Sequence, residues 1–156
     1  MISPELIRRF PFFAALDESQ LKEIAMISDI YTAIQGEIIF TEYTTAEYLI
    51  VLLEGDIELF YTNNDEIFPT THHKEVTAGI IEPGEVFSIS CLIDPYQLST
   101  SARARQVSRM IKINGQALRA LLDRDTVMGY TVMRELTKVL MERLEYTRVQ
   151  LAAAWA

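Results

Sequence analysis

Two adjacent histidines, His72 and His73, are the first side chains whose type could support metal chemistry. Adjacent residues on a strand point to opposite faces of the sheet, so this pair cannot chelate one ion. A catalytic metal site needs several such ligands, usually with a carboxylate, and the chain has 2 His in total. The sequence therefore favours an exposed loop for both histidines and predicts no metal site.

Side-chain pairs typical of other catalytic chemistry are also missing. We find no nucleophile with a base, no paired carboxylates at a readable spacing and no glycine-rich phosphate loop. Cys91 is the only cysteine, so it can form neither an internal disulfide nor a thiol cluster for a metal. It lies in an apolar turn, which predicts a buried small residue. The sequence therefore predicts a protein without enzyme activity.

The stretch from Ile80 to Ile113 contains the most specific pattern in the chain. Pro83-Gly84 is a turn signal, because proline presets φ and glycine accepts a positive φ. Residues Phe87 to Ile93 are predicted to form one or two helical turns, and Pro95 then forces the chain out of them. From Thr100 the residues alternate through Ala102, Ala104, Val107 and Met110 towards Ile111 and Ile113, which predicts a half-buried strand. The predicted order is strand, tight turn, short helix, loop, strand.

This order resembles the phosphate-binding cassette of cyclic nucleotide-binding domains, found in the catabolite activator protein, protein kinase A regulatory subunits and cyclic nucleotide-gated channels. The family pattern is a Pro-Gly turn, an apolar or aromatic residue, Gly-Glu, a short apolar helix, and Arg-(Ser/Thr)-Ala opening the next strand. In this chain the turn is Pro83-Gly84, the aromatic residue is Phe87, and the short helix is Ser90 to Ile93. The resemblance implies a β-jelly roll, or double-stranded β-helix, with N-terminal helices and a long C-terminal helix.

The charged ligand-binding positions of the family hold apolar residues here. The resemblance puts Ser88 at the glycine, Ile89 at the glutamate that accepts the ribose hydroxyl, and Leu98 at the arginine that pairs with the phosphate. A buried phosphate needs a charge-assisted partner, so we expect cAMP and cGMP to bind weakly or not at all. Two other interpretations are a pocket for another small ligand and a filled pocket that binds none. By family position the pocket candidates are Phe87, Ser88, Ile89, Ser90, Leu98, Ser99 and Thr100.

The predicted elements around the cassette divide residues 1–156, a single domain, into three parts. Residues 1–30 are expected to be helical, with Ser3-Pro4 starting one helix and Asp17 capping a second through a capping box with Gln20. Residues 31–113 show the short, glycine-punctuated strands of a jelly roll. The resemblance also implies a third glycine near Tyr43 or Thr44, which is missing. Asn63-Asn64-Asp65 is predicted to be a hairpin tip.

Residues 114–156 are predicted to form two helices. Asn114 caps the first, and Asp125 or Thr126 caps a long helix that reaches about Gln150. Apolar residues recur on this helix at three- and four-residue steps, over more turns than one small jelly roll can cover. We therefore expect a homodimer through Val132 to Leu151. The predicted dimer residues are Met133, Leu136, Leu140, Leu144 and Leu151.

Charge and hydropathy exclude several partners. The formal net charge of −8 argues against a nucleic-acid surface, and Arg103, Arg105, Arg109 and Lys112 are read as a solvated face. We expect no membrane association and a cytoplasmic location, because no apolar run approaches ~20 residues and no signal peptide is visible.

Taken together, these features predict a stand-alone regulatory or sensor module without a DNA-binding domain and without a cofactor, other than a possible cyclic nucleotide or another small ligand. A protein that does bind cAMP or cGMP through a modified cassette is one alternative. A metal-dependent enzyme of the cupin class, which is also a jelly roll, is an alternative of a different kind that the histidine content disfavours.

Overall fold

The computed structural model describes residues 1–63 and 74–156, and within them eight strands and four α-helices are formed. The strands are β1 (Ser28–Ala33), β2 (Ile38–Phe40), β3 (Tyr48–Glu54), β4 (Ile57–Asn63), β5 (Lys74–Ile81), β6 (Val86–Phe87), β7 (Ser101–Ala104) and β8 (Ser108–Asn114). The helices are α1 (Pro4–Arg8), α2 (Glu18–Met26), α3 (Gly115–Arg124) and α4 (Thr126–Ala154). The predicted tip at Asn64-Asp65 and the pair His72-His73 lie outside the described residues.

The strands pair into two antiparallel four-stranded sheets. One sheet has the order β1-β8-β3-β6 and the other the order β2-β7-β4-β5. Apart from β4 and β5, neighbouring strands are not consecutive in the chain, so the connections cross from one sheet to the other. This arrangement, together with the N-terminal and C-terminal helices, confirms the predicted mainly β jelly roll with flanking helices.

The half-buried strand predicted from Thr100 to Ile113 is two strands in different sheets. β7 ends at Ala104 and β8 begins at Ser108, and the three residues between them turn the chain from one sheet to the other. The N–H of Arg105 donates to the carbonyl of Asp56 over 2.9 Å at this corner. An alternating pattern predicts which residues face the core, but not the residue at which the chain changes sheets.

The turn between β3 and β4 depends on a glycine. Gly55 has a φ of +114°, and a Cβ built there would lie 2.1 Å from Oγ of Ser108. The same hydroxyl accepts a hydrogen bond from the N–H of Asp56 over 3.1 Å and donates to the carbonyl of Gln106 over 2.9 Å. Both the backbone conformation and the close approach of Ser108 therefore exclude a larger residue at this position.

The N-terminal helices follow the sequence prediction closely. Oδ1 of Asp17 accepts from the N–H of Gln20 over 2.8 Å, and Oε1 of Gln20 accepts from the N–H of Asp17 over 3.0 Å, which completes the capping box. Ser3 precedes Pro4 as expected, but its side chain makes no capping hydrogen bond. The first strand begins at Ser28, three residues before the expected boundary at residue 31.

The last two helices are each capped by a side chain. Oδ1 of Asn114 accepts from the N–H of Ala117 over 2.9 Å at the start of α3. Asp125, rather than Thr126, caps α4, because its Oδ1 accepts from the N–H of Met128 over 3.0 Å. Gln20 of α2 donates to the other carboxylate oxygen of Asp125 over 3.0 Å, so the start of α4 is tied to the N-terminal helices.

The inner face of α4 packs on the chain's own core. Met128, Val132 and Leu136 are at most 1% exposed and belong to the cluster that joins the helices to the β1-β8-β3-β6 sheet. This corrects one of the expected dimer residues, since Leu136 is not available to a second chain. The helix also continues to Ala154, beyond the expected end near Gln150. None of the helices in the described ranges is long and apolar enough to cross a membrane.

Candidate functional site

The cassette begins with an unusual backbone conformation at Ser88. β6 ends at Phe87, Ser88 then has φ 61° and ψ 35°, and a 3-10 turn follows from Ile89 to Leu92, one residue earlier than expected. The left-handed region is easiest for glycine, the residue that the cassette pattern has at this position. The chain therefore keeps the expected backbone at Ser88 although the side chain differs.

A second residue at positive φ lies opposite the cassette. Tyr43, one of the two positions near which the third glycine was expected, has a φ of 66°. Its N–H donates to the carbonyl of Leu98 over 2.8 Å, and the N–H of Leu98 donates to the carbonyl of Thr44 over 2.9 Å. The loop after β2 is therefore attached to the cassette by backbone hydrogen bonds on both sides of Leu98, and it keeps its turn without the glycine.

A cavity of about 440 Å³ lies between the cassette and α4. Six of the seven predicted pocket residues line it, and α4 contributes three more side chains on the opposite wall. Phe87 does not line the cavity: it is 0% exposed, and its ring packs beneath that of Phe40, with 6.0 Å between the ring centroids. The walls are formed by Phe40, Leu59, Ala78, Ser88, Ile89, Ser90, Ile93, Asp94, Pro95, Gln97, Leu98, Ser99, Thr100, Leu140, Arg143 and Thr147.

The charge in the cavity wall does not come from where the cassette pattern puts it. Of the described residues that line the cavity, Asp94 of the cassette and Arg143 of α4 are the ones that carry a charge. Sequence reasoning missed Arg143, which was not among the pocket candidates. The signal was present, since Arg143 lies seven residues after the buried Leu136 and four after the partly buried Val139.

Arg143 connects α4 to the strand that leads into the cassette. Its guanidinium donates a hydrogen bond to the carbonyl of Val86, the residue before Phe87. Burial lowers the pKa of Arg143, while the negative charges of Glu85 and Glu142 act in the opposite direction. Among the described residues Arg143 forms no ion pair within 4.0 Å, so its cation is balanced only at longer range.

A larger cleft of about 840 Å³ lies on the other side of Arg143. It lies between the turn after β5 and the middle of α4, and Pro11, Phe12 and Tyr146 also line it. Glutamates at its edge come from both the turn and the helix. Arg143 lines this cleft as well as the cassette cavity, so its guanidinium lies between the two.

Arg103 lies on the outer face of the sheet. Its guanidinium is 2.9 Å from a carboxylate oxygen of Glu75 and 3.4 Å from one of Glu58, and it stacks on the ring of Phe60. The pKa of Arg103 is raised, mainly by its hydrogen bond to Glu75. Arg103 is not part of the cavity wall and forms the strand face that the sequence favoured.

Cys91 is buried beneath the cassette. The residue is 0% exposed, and burial raises the pKa of its thiol to about 12. Arg119 donates a hydrogen bond to the carbonyl of Cys91 over 2.7 Å and stacks on the ring of Tyr96, which holds α3 against the cassette. A thiol with this pKa stays protonated near neutral pH and is not a nucleophile. In residues 1–63 and 74–156 no group of three or more His, Cys, Asp or Glu could hold a metal ion.

Comparison with known proteins identifies the family. Residues 34–125 match the family model described as the cyclic nucleotide-binding domain, which is more than half of the chain. The chain belongs to the cyclic nucleotide-binding domain family. Domains of this family are generally regulatory rather than enzymatic, which supports a regulatory or sensor module. A comparison with curated proteins gives no match.

Several solved structures share the fold over nearly the whole chain. A candidate cyclic nucleotide-binding protein from Geobacter metallireducens GS-15 is 38% identical, with a TM-score of 0.81, 92% of this chain covered and 99% of that chain. A cyclic nucleotide-binding domain from Methylobacillus flagellatus KT is 17% identical, with a TM-score of 0.77, covering 96% and 80%. The sensor domain of the transcriptional regulator DNR from Pseudomonas aeruginosa is 18% identical, with a TM-score of 0.71, covering 90% of both chains.

The start of β7 changes which residue aligns with the arginine of the cyclic nucleotide-binding pattern. β7 opens with Ser101-Ala102, so these residues match the (Ser/Thr)-Ala pair that follows the family arginine. The arginine position is therefore Thr100 and not Leu98, which is 4% exposed and packs into the core. The sequence contains both Ser99-Thr100 and Ser101-Ala102, and only the start of β7 decides which pair aligns with the family pattern. Neither Leu98 nor Thr100 is a cation.

Proposed function

We propose that this chain is a non-enzymatic regulatory module that binds a small ligand in the cavity between its cassette and α4, and that it acts as a homodimer. Standard cyclic nucleotides bind it weakly. The proposal follows the family, whose domains are regulatory, and departs from it in the choice of ligand.

One observation carries the ligand argument: the cassette side of the cavity supplies no cation. The family glutamate position is Ile89, and the arginine position is Thr100. The charged cassette residue at the wall is Asp94, which repels a phosphate. A charge-assisted hydrogen bond contributes about 1.5–3 kcal/mol. Losing two of them weakens binding of cAMP or cGMP by about two to four powers of ten.

The dimer argument rests on the exposed side of α4. Six residues follow steps of 4, 3, 4, 3 and 4 along the helix, which is the seam spacing of a coiled coil. All six are exposed although four are large and apolar. The hydroxyls of the two threonines donate to carbonyls four residues earlier, which leaves their methyl groups outward. We call this set the α4 stripe: Met133, Thr137, Leu140, Leu144, Thr147 and Leu151.

Calorimetric titration tests the choice of ligand. We expect no micromolar binding of cAMP or cGMP to the purified protein. Native mass spectrometry of the same preparation is expected to show a small molecule bound to the wild type and absent from Ser99→Trp, because Ser99 lines the cavity and is exposed at its mouth. Micromolar affinity for either nucleotide would contradict the proposal.

A modified cassette that does bind cyclic nucleotides is the second candidate, and Arg143 is the observation that favours it. A guanidinium from α4 is the one cation that the described part of the cavity wall offers to a phosphate. The same titration separates the two functions. Micromolar cAMP binding that is lost in Arg143→Met and retained in Lys138→Met would establish the second candidate, since Lys138 lies on α4 outside the cassette cavity.

A further inference from the structure

We infer that Arg143 is the anion-binding residue of the cassette cavity, and that the ligand is an amphiphilic monoanion with one compact acidic head group and an apolar body. This inference rests on the proposed function, because it requires that the cavity is a ligand site. It adds the chemical class of the ligand and the wall to which its charge binds.

The position of Arg143 supports an anion at the β6 end of the cavity. Its side chain lies between the cassette cavity and the larger cleft, and its guanidinium donates to the carbonyl of Val86. A guanidinium has five N–H donors, so among the residues that the structure describes one carbonyl leaves most of them without a partner. A partly buried cation is poorly solvated, and a carboxylate or sulfonate with two or three oxygens would bond it bidentately.

The charge of the wall limits the ligand to one negative charge. Asp94 and Arg143 are the charged residues among those described at the wall, so the wall is neutral overall. Glu85 and Glu142 line the neighbouring cleft together with Arg143, and their negative charges reduce the positive potential further. A polyanion would therefore be repelled after its first charge was matched, while a single acidic group is favoured.

The remaining wall suits an apolar body. Most of the larger side chains around the cavity are hydrocarbon, and the polar ones are mainly hydroxyls, which either donate or accept. A volume of about 440 Å³ is within the range of small-ligand sites. The apolar contributors are Phe40, Leu59, Ala78, Ile89, Ile93, Leu98 and Leu140. Because the cation is on α4 and not on the cassette, the head group points towards β6 and away from Thr100, where the family holds its phosphate.

A pair of fluorescent probes that differ only in charge tests the inference. Anilinonaphthalene sulfonate is an amphiphilic monoanion, and phenylnaphthylamine is the same ring system without the sulfonate. We expect both to bind the wild-type protein. Arg143→Met is expected to weaken the sulfonate about 10- to 100-fold and to change binding of the uncharged probe less than about twofold. Arg143→Lys, which keeps the charge, should recover part of the loss.

Two control variants locate the effect. Lys138→Met removes a cation from the same helix that faces the neighbouring cleft and pairs with Glu135 over 3.0 Å, so it is expected to leave both probes unchanged. Ser99→Trp fills the mouth of the cavity and should abolish binding of both. Thermal unfolding of each variant establishes that it is folded. If Arg143→Met does not fold, competition in the wild type decides: octanoate should displace phenylnaphthylamine at about 10-fold lower concentration than octanol.

The outcomes separate the inference from the function on which it rests. If Ser99→Trp removes both probes while Arg143→Met leaves the sulfonate unchanged, or octanol competes as well as octanoate, the cavity is a ligand site and Arg143 is not its anion-binding residue. That result overturns the inference alone. If neither probe binds, or Ser99→Trp has no effect, the cavity is not a ligand site and the proposed function is overturned with it.

Discussion

Leu140→Glu is the most informative change for the proposed dimer. Leu140 lies in the middle of the α4 stripe and is 47% exposed, so the substitution puts a carboxylate at the centre of the seam without opening the chain's own core. The two copies of a symmetric pair each contribute this residue, so a single mutation changes the interface twice. We expect the variant to fold as the wild type does and to be monomeric.

The magnitude follows from the exposed fractions. Full burial of a leucine stabilises by about 1.5–3 kcal/mol, so covering the exposed half of Leu140 in both copies contributes roughly the same amount. Removing it raises the dissociation constant by about 10- to 150-fold, before the cost of desolvating two carboxylates is added. Met133, Leu140, Leu144 and Leu151 are 36%, 47%, 53% and 58% exposed. Covering them in both copies yields roughly 6–12 kcal/mol against an association cost of ~4–15 kcal/mol.

These two totals are similar, so the dimer is expected to be reversible and sensitive to single changes. Sedimentation velocity over a concentration series that brackets the wild-type dissociation constant is the assay. Val149→Glu is the matched control, because Val149 is 64% exposed and lies on the side of α4 opposite the stripe. It should sediment as the wild type does. A wild-type protein that is monomeric throughout the series, or a Leu140→Glu variant that dimerises unchanged, would refute the reasoning.

Three further predictions concern the cassette, a turn and the thiol. The double change Ile89→Glu with Thr100→Arg is expected to raise the affinity for cAMP, measured by calorimetry, while neither single change does. The reason is that the two charges meet different ends of the nucleotide. No gain in a folded double variant would show that the cavity itself is remodelled. Gly55→Ala should lower the melting temperature far more than Gly36→Ala. Both glycines have a positive φ, but only at Gly55 would the added Cβ meet another atom, Oγ of Ser108 at 2.1 Å. Equal falls in melting temperature would mean that backbone strain alone matters. Cys91 should react with thiol reagents at about pH 8 only as fast as the chain unfolds. Burial raises the pKa of its thiol to about 12, so the reactive thiolate is scarce in the folded protein. Rapid labelling of the folded protein would contradict this prediction.

Local patterns in the sequence predicted the frame of this protein well. The capping box of Asp17, the cap at Asn114 and the Pro83-Gly84 turn each depend on residues within a few positions of one another, so the sequence is enough to find them. The jelly roll itself came from the family resemblance of the cassette, supported by short strands and regularly spaced glycines. Tyr43 and Ser88 show why the frame survives substitution, because backbone hydrogen bonds around them hold a conformation that glycine would take more easily.

The parts that sequence reasoning missed depend on contacts between distant segments. Arg143 was not considered for the pocket, because nothing near it in the chain indicates that β6, 57 residues away in sequence, lies within hydrogen-bond reach. Leu136 matched the spacing of the dimer residues, but helical spacing alone cannot separate a face that covers its own core from one that meets a second chain. The arginine position of the cassette was misplaced for the same kind of reason, since only the start of β7 at Ser101 fixes the register.

Two side chains of α4, Leu140 and Thr147, belong both to the cavity wall and to the α4 stripe. A ligand in the cavity would therefore touch residues that a partner helix covers, and the two equilibria cannot be independent. Linkage makes the coupling reciprocal: by whatever factor an occupied cavity changes the dissociation constant of the dimer, dimerisation changes the affinity for the ligand by the same factor. The apparent affinity of this protein for its ligand would then vary with the concentration of the protein itself, and a binding curve measured at one concentration would describe only that concentration.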